Sequence, residues 1–234
     1  MRYDLYRDME KQRGEYAEYG NTELSYNYLV KQVQRQERDN IKMLDIGTNI
    51  GTLPWLIYSK EKMLMDGVEV RESAVEKGKK KYPEIADRLH CIGPNLNMIS
   101  DEFYDVVTMF DVIEHIPDIE NYLKDVYRII RPGGIFVFQT PNARINPLFE
   151  IVRTKSLTAY KDYHCSLQTP NSLRRILKNV GFLDVVIEKN EIDSEFNRKK
   201  LQRYFGPAGL VALEIFKRVP LGIYPNLWGN CKKK

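Results

Sequence analysis

Only three histidines occur in this chain of 234 residues, and two of them stand among groups that could move a proton or hold a cation. His115 closes the run Asp111-Val112-Ile113-Glu114-His115, and His164 ends Tyr160-Lys161-Asp162-Tyr163-His164. An imidazole titrates near neutral pH, so either ring can act as a general base toward a hydroxyl. If residues 111–115 make a helical turn, Asp111, Glu114 and His115 share one side of it. Together with His164 they would form a mixed oxygen–imidazole set, which suits Mg, Mn or Fe better than a structural zinc. A third reading gives the Glu-His pair nothing more than loop packing. His90, beside a short apolar run, reads as structural.

A second constellation lies upstream. The apolar run Lys42–Ile46 carries an acid, Asp45, at its end, and Gly47 and Gly51 then bracket Thr48-Asn49-Ile50 before the next apolar run. Glycines at such a bend let a ligand approach the backbone closely. The dinucleotide pattern G-x-G-x-x-G fails here, because Asn49 and Thr52 occupy positions where it needs glycine. A smaller ligand without a pyrophosphate is favoured. Glu69 follows at roughly the twenty-residue distance where a carboxylate meets ribose hydroxyls. Being acceptor-only, it can hold both vicinal hydroxyls, and it would repel a 2′-phosphate.

These groups need a scaffold that brings strand ends together. Lys42–Ile46, Val68-Glu69-Val70, Leu89–Ile92, Tyr104–Met109, Ile135–Gln139 and Phe182–Ile187 read as strands. Helical patterns fall between them at Thr52–Tyr58, Ser73–Tyr82, 119–130 (stopped by Pro132-Gly133-Gly134) and 170–180 (opened by Thr169-Pro170, closed by Gly181). The alternation predicts an α/β fold with a doubly wound, mostly parallel sheet. Residues 1–40, with Tyr26, Tyr28, Leu29 and Val33 at helical spacing, are expected to form an N-terminal helical cap. Residues 41–234 form the ligand-binding domain, with insertions at 143–168 and 189–220 over the site. Leu210–Trp228 reads as a lid helix leading into a final antiparallel strand at Leu227–Lys232.

In order and spacing, Asp45-Ile46-Gly47-Thr48-Asn49-Ile50-Gly51 and Gly67-Val68-Glu69-Val70 resemble the first two motifs of class I S-adenosylmethionine-dependent methyltransferases. Tyr104-Asp105-Val106-Val107 through Ile113-Glu114-His115-Ile116, and Arg131-Pro132-Gly133-Gly134 through Thr140-Pro141-Asn142, resemble the later ones. The likeness covers roughly residues 40–190 and implies a seven-stranded sheet with S-adenosyl-L-methionine as cofactor. Asn49 stands where that family usually has its middle glycine. The resemblance implies that Asp45, Gly47, Thr48, Asn49 and Gly51 surround the methionyl end and that Glu69 takes the ribose. It implies further that Val70 packs on the adenine, that Asn95 and Leu96 reach the adenine edge, and that Phe110 and Asp111 close the site near the sulfonium. Ubiquinone-pathway O-methyltransferases and small-RNA 2′-O-methyltransferases are similar around Glu114-His115, where they use a Glu-x-x-Glu-His cluster on a metal.

The reaction expected is O-methylation of a small-molecule or glycan-type hydroxyl, with His115 or His164 taking the proton. The alternatives are N-methylation of a small amine, RNA 2′-O-methylation and a non-catalytic cofactor-binding module. Arg144, after the fifth strand, is a candidate for an anionic group on the acceptor, and Tyr160 and Tyr163 for its apolar cover. Net charge is only +4, and its lysine runs (79–81, 232–234) read as solvated, which argues against a nucleic-acid partner. Three scattered cysteines without a CxxC pair fit a reducing compartment, and the charged N-terminus does not read as a signal peptide. No stretch reads as a transmembrane segment, so a cytoplasmic protein is expected. The basic, aromatic C-terminal segment could still touch a membrane surface.

Overall fold

The computed structural model describes residues 22–34, 40–162 and 164–234. Within them, β1 (Met43–Ile46), β2 (Met65–Glu69), β3 (Leu89–Cys91), β4 (Tyr104–Phe110), β5 (Ile130–Pro141), β6 (Leu183–Glu188) and β7 (Asn226–Lys232) form one seven-stranded sheet. Its order is β3-β2-β1-β4-β5-β7-β6. All neighbours are parallel except β7, which runs antiparallel to both β5 and β6. The helices are α1 (Thr22–Val33), α2 (Thr52–Leu56), α3 (Glu72–Lys81), α4 (Ile119–Ile129), α5 (Asn146–Thr154), α6 (Pro170–Val180), α7 (Glu195–Phe205) and α8 (Pro207–Arg218). After β1 the chain winds outward to β2 and β3, then returns to β1's other side as β4. That reversal opens a crevice beyond the carboxyl ends of β1 and β4, where open α/β sheets bind ligands.

Side chains alternate across the sheet with the strand period of two. Leu44, Ile46, Phe136 and Phe138 enter the cluster beneath α4 and α6, with Leu123, Val126, Leu173 and Leu177. Met43, Val106, Val137 and Trp228 enter the opposite cluster with Leu24, Tyr28 and Leu29 of α1 and Leu53 of α2. The apolar positions of α1 thus pack on this face of the sheet. The remainder of the expected cap, residues 1–21 and 35–39, lies outside the described residues, as does Tyr163. Thr169 and Ser172 exchange hydrogen bonds in a capping box at the start of α6, and Gly181 ends it at φ 114°.

One sequence expectation fails at β5. The helix ends at Ile129 as expected, but Pro132-Gly133-Gly134 is not what stops it: it lies inside the strand, which begins at Ile130 directly after α4. The pairing with β4 slips between Tyr104 and Val106, Gly133 takes φ 76°, and a Cβ on Gly134 would stand 2.7 Å from the Asp105 carbonyl oxygen. The glycines thus serve a bulge in the ladder. The segments 143–168 and 189–220 contain α5, α7 and α8.

Candidate active site

The turn after β1 is held by its neighbour strand, Gly47 and Thr48 both donating backbone N–H to the Val68 carbonyl at 2.8 and 3.1 Å. Gly47 and Gly51 have φ 77°. A Cβ on Gly47 would lie 2.4 Å from Val112 Cγ2, so both conformation and space require glycine there. Asn49, the departure from the usual glycine, also takes a left-handed backbone at φ 54°. Asparagine tolerates that region better than most residues, so the loop keeps its shape.

Two carboxylates face this loop. Asp45 is buried and accepts from Thr108 Oγ1 at 2.6 Å. Burial pushes its pKa up to about 6, against the lowering effect of the Thr108 hydrogen bond. Glu69, also buried, accepts N–H groups from Asn49 and Val70 at 3.0 Å and from Arg71 at 3.2 Å. The Arg71 side chain adds Nε to Glu69 Oε1 at 3.2 Å and Nη2 to the Asn49 amide oxygen at 3.0 Å. Arg71 was not singled out in the sequence. Its bond to Asn49 is one that a glycine side chain at 49 could not accept.

Asp45, Gly47, Thr48, Asn49, Glu69, Val70, Phe110 and Asp111 all line one cavity of about 2100 Å³. Gly51 lies behind it, against Leu89. Asn95 and Leu96 do not line it. The wall after β3 is made by Ile92, Gly93 and Pro94, Asn95 turns back to accept from the Asn97 N–H at 3.2 Å, and Leu96 is fully buried in the core. The segment bends away from the site two residues earlier than the resemblance implied.

At the other end of the cavity stand Glu114, His115 and His164, each offering a ligand atom within 4.8 Å of the others. The His115 and His164 ring centroids are 5.0 Å apart. Glu114 accepts from Thr140 Oγ1 at 2.9 Å through one oxygen, and its other oxygen lies 3.7 Å from His115 Nε2. His164 Nδ1 meets the Asn146 amide oxygen at 2.8 Å. With that oxygen accepting, Nδ1 carries the hydrogen and Nε2 becomes the ring's acceptor. Asp111 is not in the cluster. The helical turn spans only Ile113–His115, and Asp111, at φ 54° before it, accepts from Gln139 Nε2 at 3.0 Å instead.

Arg144 also stands apart from the cavity, reaching the Gly222 carbonyl at 3.5 Å. Its neighbour Asn142 is fully buried and donates to the Tyr224 carbonyl at 2.9 Å, pinning the segment that follows α8. The acceptor-side wall comes instead from α5 and α7, with Glu150 paired to Arg153 at 2.7 Å and Lys200 stacked over the Phe149 ring at 4.4 Å. His90 is exposed on β3, paired in register with Val68.

Residues 16–186 match the family described as a methyltransferase domain. The chain belongs to that family. The strand order and the antiparallel β7 are those of the class I S-adenosylmethionine-dependent methyltransferase fold, as the solved structures also indicate. An S-adenosylmethionine-dependent methyltransferase from Archaeoglobus fulgidus superposes over the whole of both chains at 20% identity and a TM-score of 0.59. Phosphoethanolamine N-methyltransferase 2 of Haemonchus contortus, solved with S-adenosyl-L-methionine, matches 89% of this chain and 52% of its own at 17% identity and a TM-score of 0.61. Among curated proteins, the ubiquinone biosynthesis O-methyltransferase of a Shewanella species is 27% identical over 159 residues, 61% of this chain and 63% of that one. A methyltransferase of Mycolicibacterium smegmatis is 36% identical over 76 residues, 32% of this chain and 29% of its own. The chain spans less than two thirds of the length of these two curated relatives.

Proposed function

We propose that this methyltransferase carries a methyl group from S-adenosyl-L-methionine to a hydroxyl of a small-molecule or glycan-type acceptor. One observation carries the reading: a single cavity joins the glycine turn to the imidazole pair. At about 2100 Å³ it exceeds the roughly 300–1,000 Å³ of an ordinary ligand pocket, leaving room for cofactor and acceptor together. The residues suit the cofactor. Glu69 offers carboxylate oxygens for a ribose diol, Asp45 offers a buried anion toward the methionyl amine, and Val70 and Ile92 give apolar surface beside the adenine. When bound, the cofactor supplies an electrophilic methyl group on a sulfonium.

The protein's own contribution is placement and proton transfer. Holding the acceptor oxygen in line with the methyl replaces a bimolecular encounter with an oriented one. His164 Nε2 then takes the hydroxyl proton, its ring fixed by Asn146. His115, braced by Glu114, stands beside it to share the charge. The experiment is methyl transfer to a panel of hydroxyl and amine acceptors by wild type and by His164→Ala. Hydroxyl-selective turnover that collapses in the variant supports the reading. Amine turnover surviving in the variant above the amine's own pKa would replace it with N-methylation.

A second reading rests on the same triad. Glu114, His115 and His164 make a three-ligand set of carboxylate and imidazole that fits Mg, Mn or Fe, and a cation there would lower the pKa of a bound hydroxyl. Loss of turnover in EDTA, restored by one of these ions, selects this reading over the plain base.

A further inference from the structure

The elements over the histidine end, α5 with the turn after it, α7 and α8, carry an apolar and cationic surface that extends beyond the cavity wall. Among the described residues, large apolar side chains left in solvent gather here: Leu148 and Val152 on α5, Leu157 just beyond it, Val211 and Ile215 on α8. Each helical pair is spaced i, i+4 and so shares one face. On α8 that face is opposite to Leu213, which is buried with Ile192 and Tyr224. Val211 is 62% and Ile215 57% exposed on a helix whose other side is already packed. Singly such residues are common, but here one pair lies on α5 and the other on α8. Both helices pack on α7, Phe149 against Tyr204 and Phe205 and Gly209 against Leu201, so together they mark a contact surface.

Charge indicates what that surface contacts. Residues 146–162 and 195–218 hold nine Lys or Arg against four Asp or Glu, an excess greater than the +4 of the whole chain. Arg198, Lys199, Lys200 and Arg203 fall within six residues of α7. Lys199 pairs with Glu195 in the open and Arg198 with the half-buried Asp193, yet Lys200 and Arg203 keep the summed field of the helix positive. Cationic side chains interleaved with protruding apolar pairs are the composition of a segment that lies in a lipid headgroup layer. We propose that α5, α7 and α8 dock this protein on the surface of an anionic lipid bilayer. Leu148, Val152, Val211 and Ile215 enter the headgroup layer, and the α7 cations meet lipid phosphates. Leu148, Val152, Lys199 and Lys200 also line the cavity, so it opens on the docked face. An acceptor resident in the bilayer would then reach the histidines without crossing water, a consequence that rests on the methyltransferase reading, whereas docking itself does not.

The test is co-sedimentation of the full chain with phosphatidylcholine vesicles and with vesicles containing about one third phosphatidylglycerol, at about 0.1 M and about 0.5 M salt. The protein should sediment only with the anionic vesicles, and less at high salt. Replacing Lys199, Lys200 and Arg203 together by Glu should lower the partition at least about tenfold, since each cation near such a surface is worth about a factor of five. Val211→Ser with Ile215→Ser should lower it at both salt concentrations, while leaving the melting temperature and S-adenosylhomocysteine affinity of the protein unchanged. No sedimentation, equal binding to neutral vesicles, or binding indifferent to both sets of substitutions overturns the proposal. A dimer by light scattering that the Val211/Ile215 pair dissolves would overturn it in favour of self-association. If the wild type binds vesicles but not S-adenosylhomocysteine, the methyltransferase reading fails and the docking surface stands.

Discussion

At the glycine-loop end, Asp45, Gly47, Thr48, Asn49, Glu69 and Val70 come from one strand–helix–strand unit whose backbone N–H groups at 47–49 bond Val68 and Glu69. The histidine end draws Glu114 from the turn after β4, Asn146 from α5, His164 from the connection before α6, and further walls from α7. The first end is thus specified locally, by glycine conformation and strand pairing. The second exists only once four distant segments have packed. Damage at the first should show as lost binding, and damage at the second as lost chemistry.

His164→Ala gives the largest expected separation, a fall in kcat of about 10²–10⁴ with S-adenosylhomocysteine affinity by calorimetry unchanged. An equal fall in affinity would erase the contrast between the two ends. Gly47→Ala should do the reverse and abolish measurable cofactor affinity, because the new Cβ meets Val112 at 2.4 Å in a left-handed backbone. That strain also lowers stability by about 1–3 kcal/mol, readable in a thermal melt.

Asp45→Asn sharpens the comparison through pH. Burial raises Asp45 to about 6, so the folded protein binds its proton more tightly than the unfolded chain does. Stability from this group is full below about pH 4 and is lost as pH rises through about 6, a penalty of order 2–3 kcal/mol at neutral pH. The ligand-free variant should therefore melt a few degrees higher than wild type at pH 7.5 and alike at pH 4, while cofactor binding is lost. The smallest effect expected is at the Arg71–Asn49 contact. A double-mutant cycle of Arg71→Ala and Asn49→Ala on cofactor affinity should give a coupling of about 0.5–1 kcal/mol. A coupling near zero would mean that the bond between loop and strand contributes nothing to the local end.

What the sequence discloses follows the same division. Leu44, Ile46, Val106 and Val107 belong to short β-branched or aliphatic runs that almost any reading assigns to buried strands, and Gly47 with Glu69 mark the turn and the acid by spacing alone. Arg71 carries no such signal, because its meaning depends on Asn49 reaching it across the loop. Asn95 and Leu96 lie off the cavity because the chain turns after Pro94, and a family position says nothing about where a local turn bends the chain. At 132–134 a Pro-Gly-Gly stop and a glycine bulge look alike in one dimension, and only the slipped pairing with β4 tells them apart. His164 is legible as a residue type, but its partner Asn146 is not, lying eighteen positions away at the start of another helix.

The antiparallel β7 sits between β5 and β6, and its Trp228 is fully buried against Tyr28 and Phe110. Residues 226–232 must therefore wedge between two strands that emerge from the ribosome before them. Until that wedge arrives, β5 and β6 have no common partner and the floor beneath α1 lacks its largest ring. Synthesis should leave a half-open sheet in need of protection until residues 226–232 have emerged, so that the arrival of β7, not helix formation, sets when the fold is first complete.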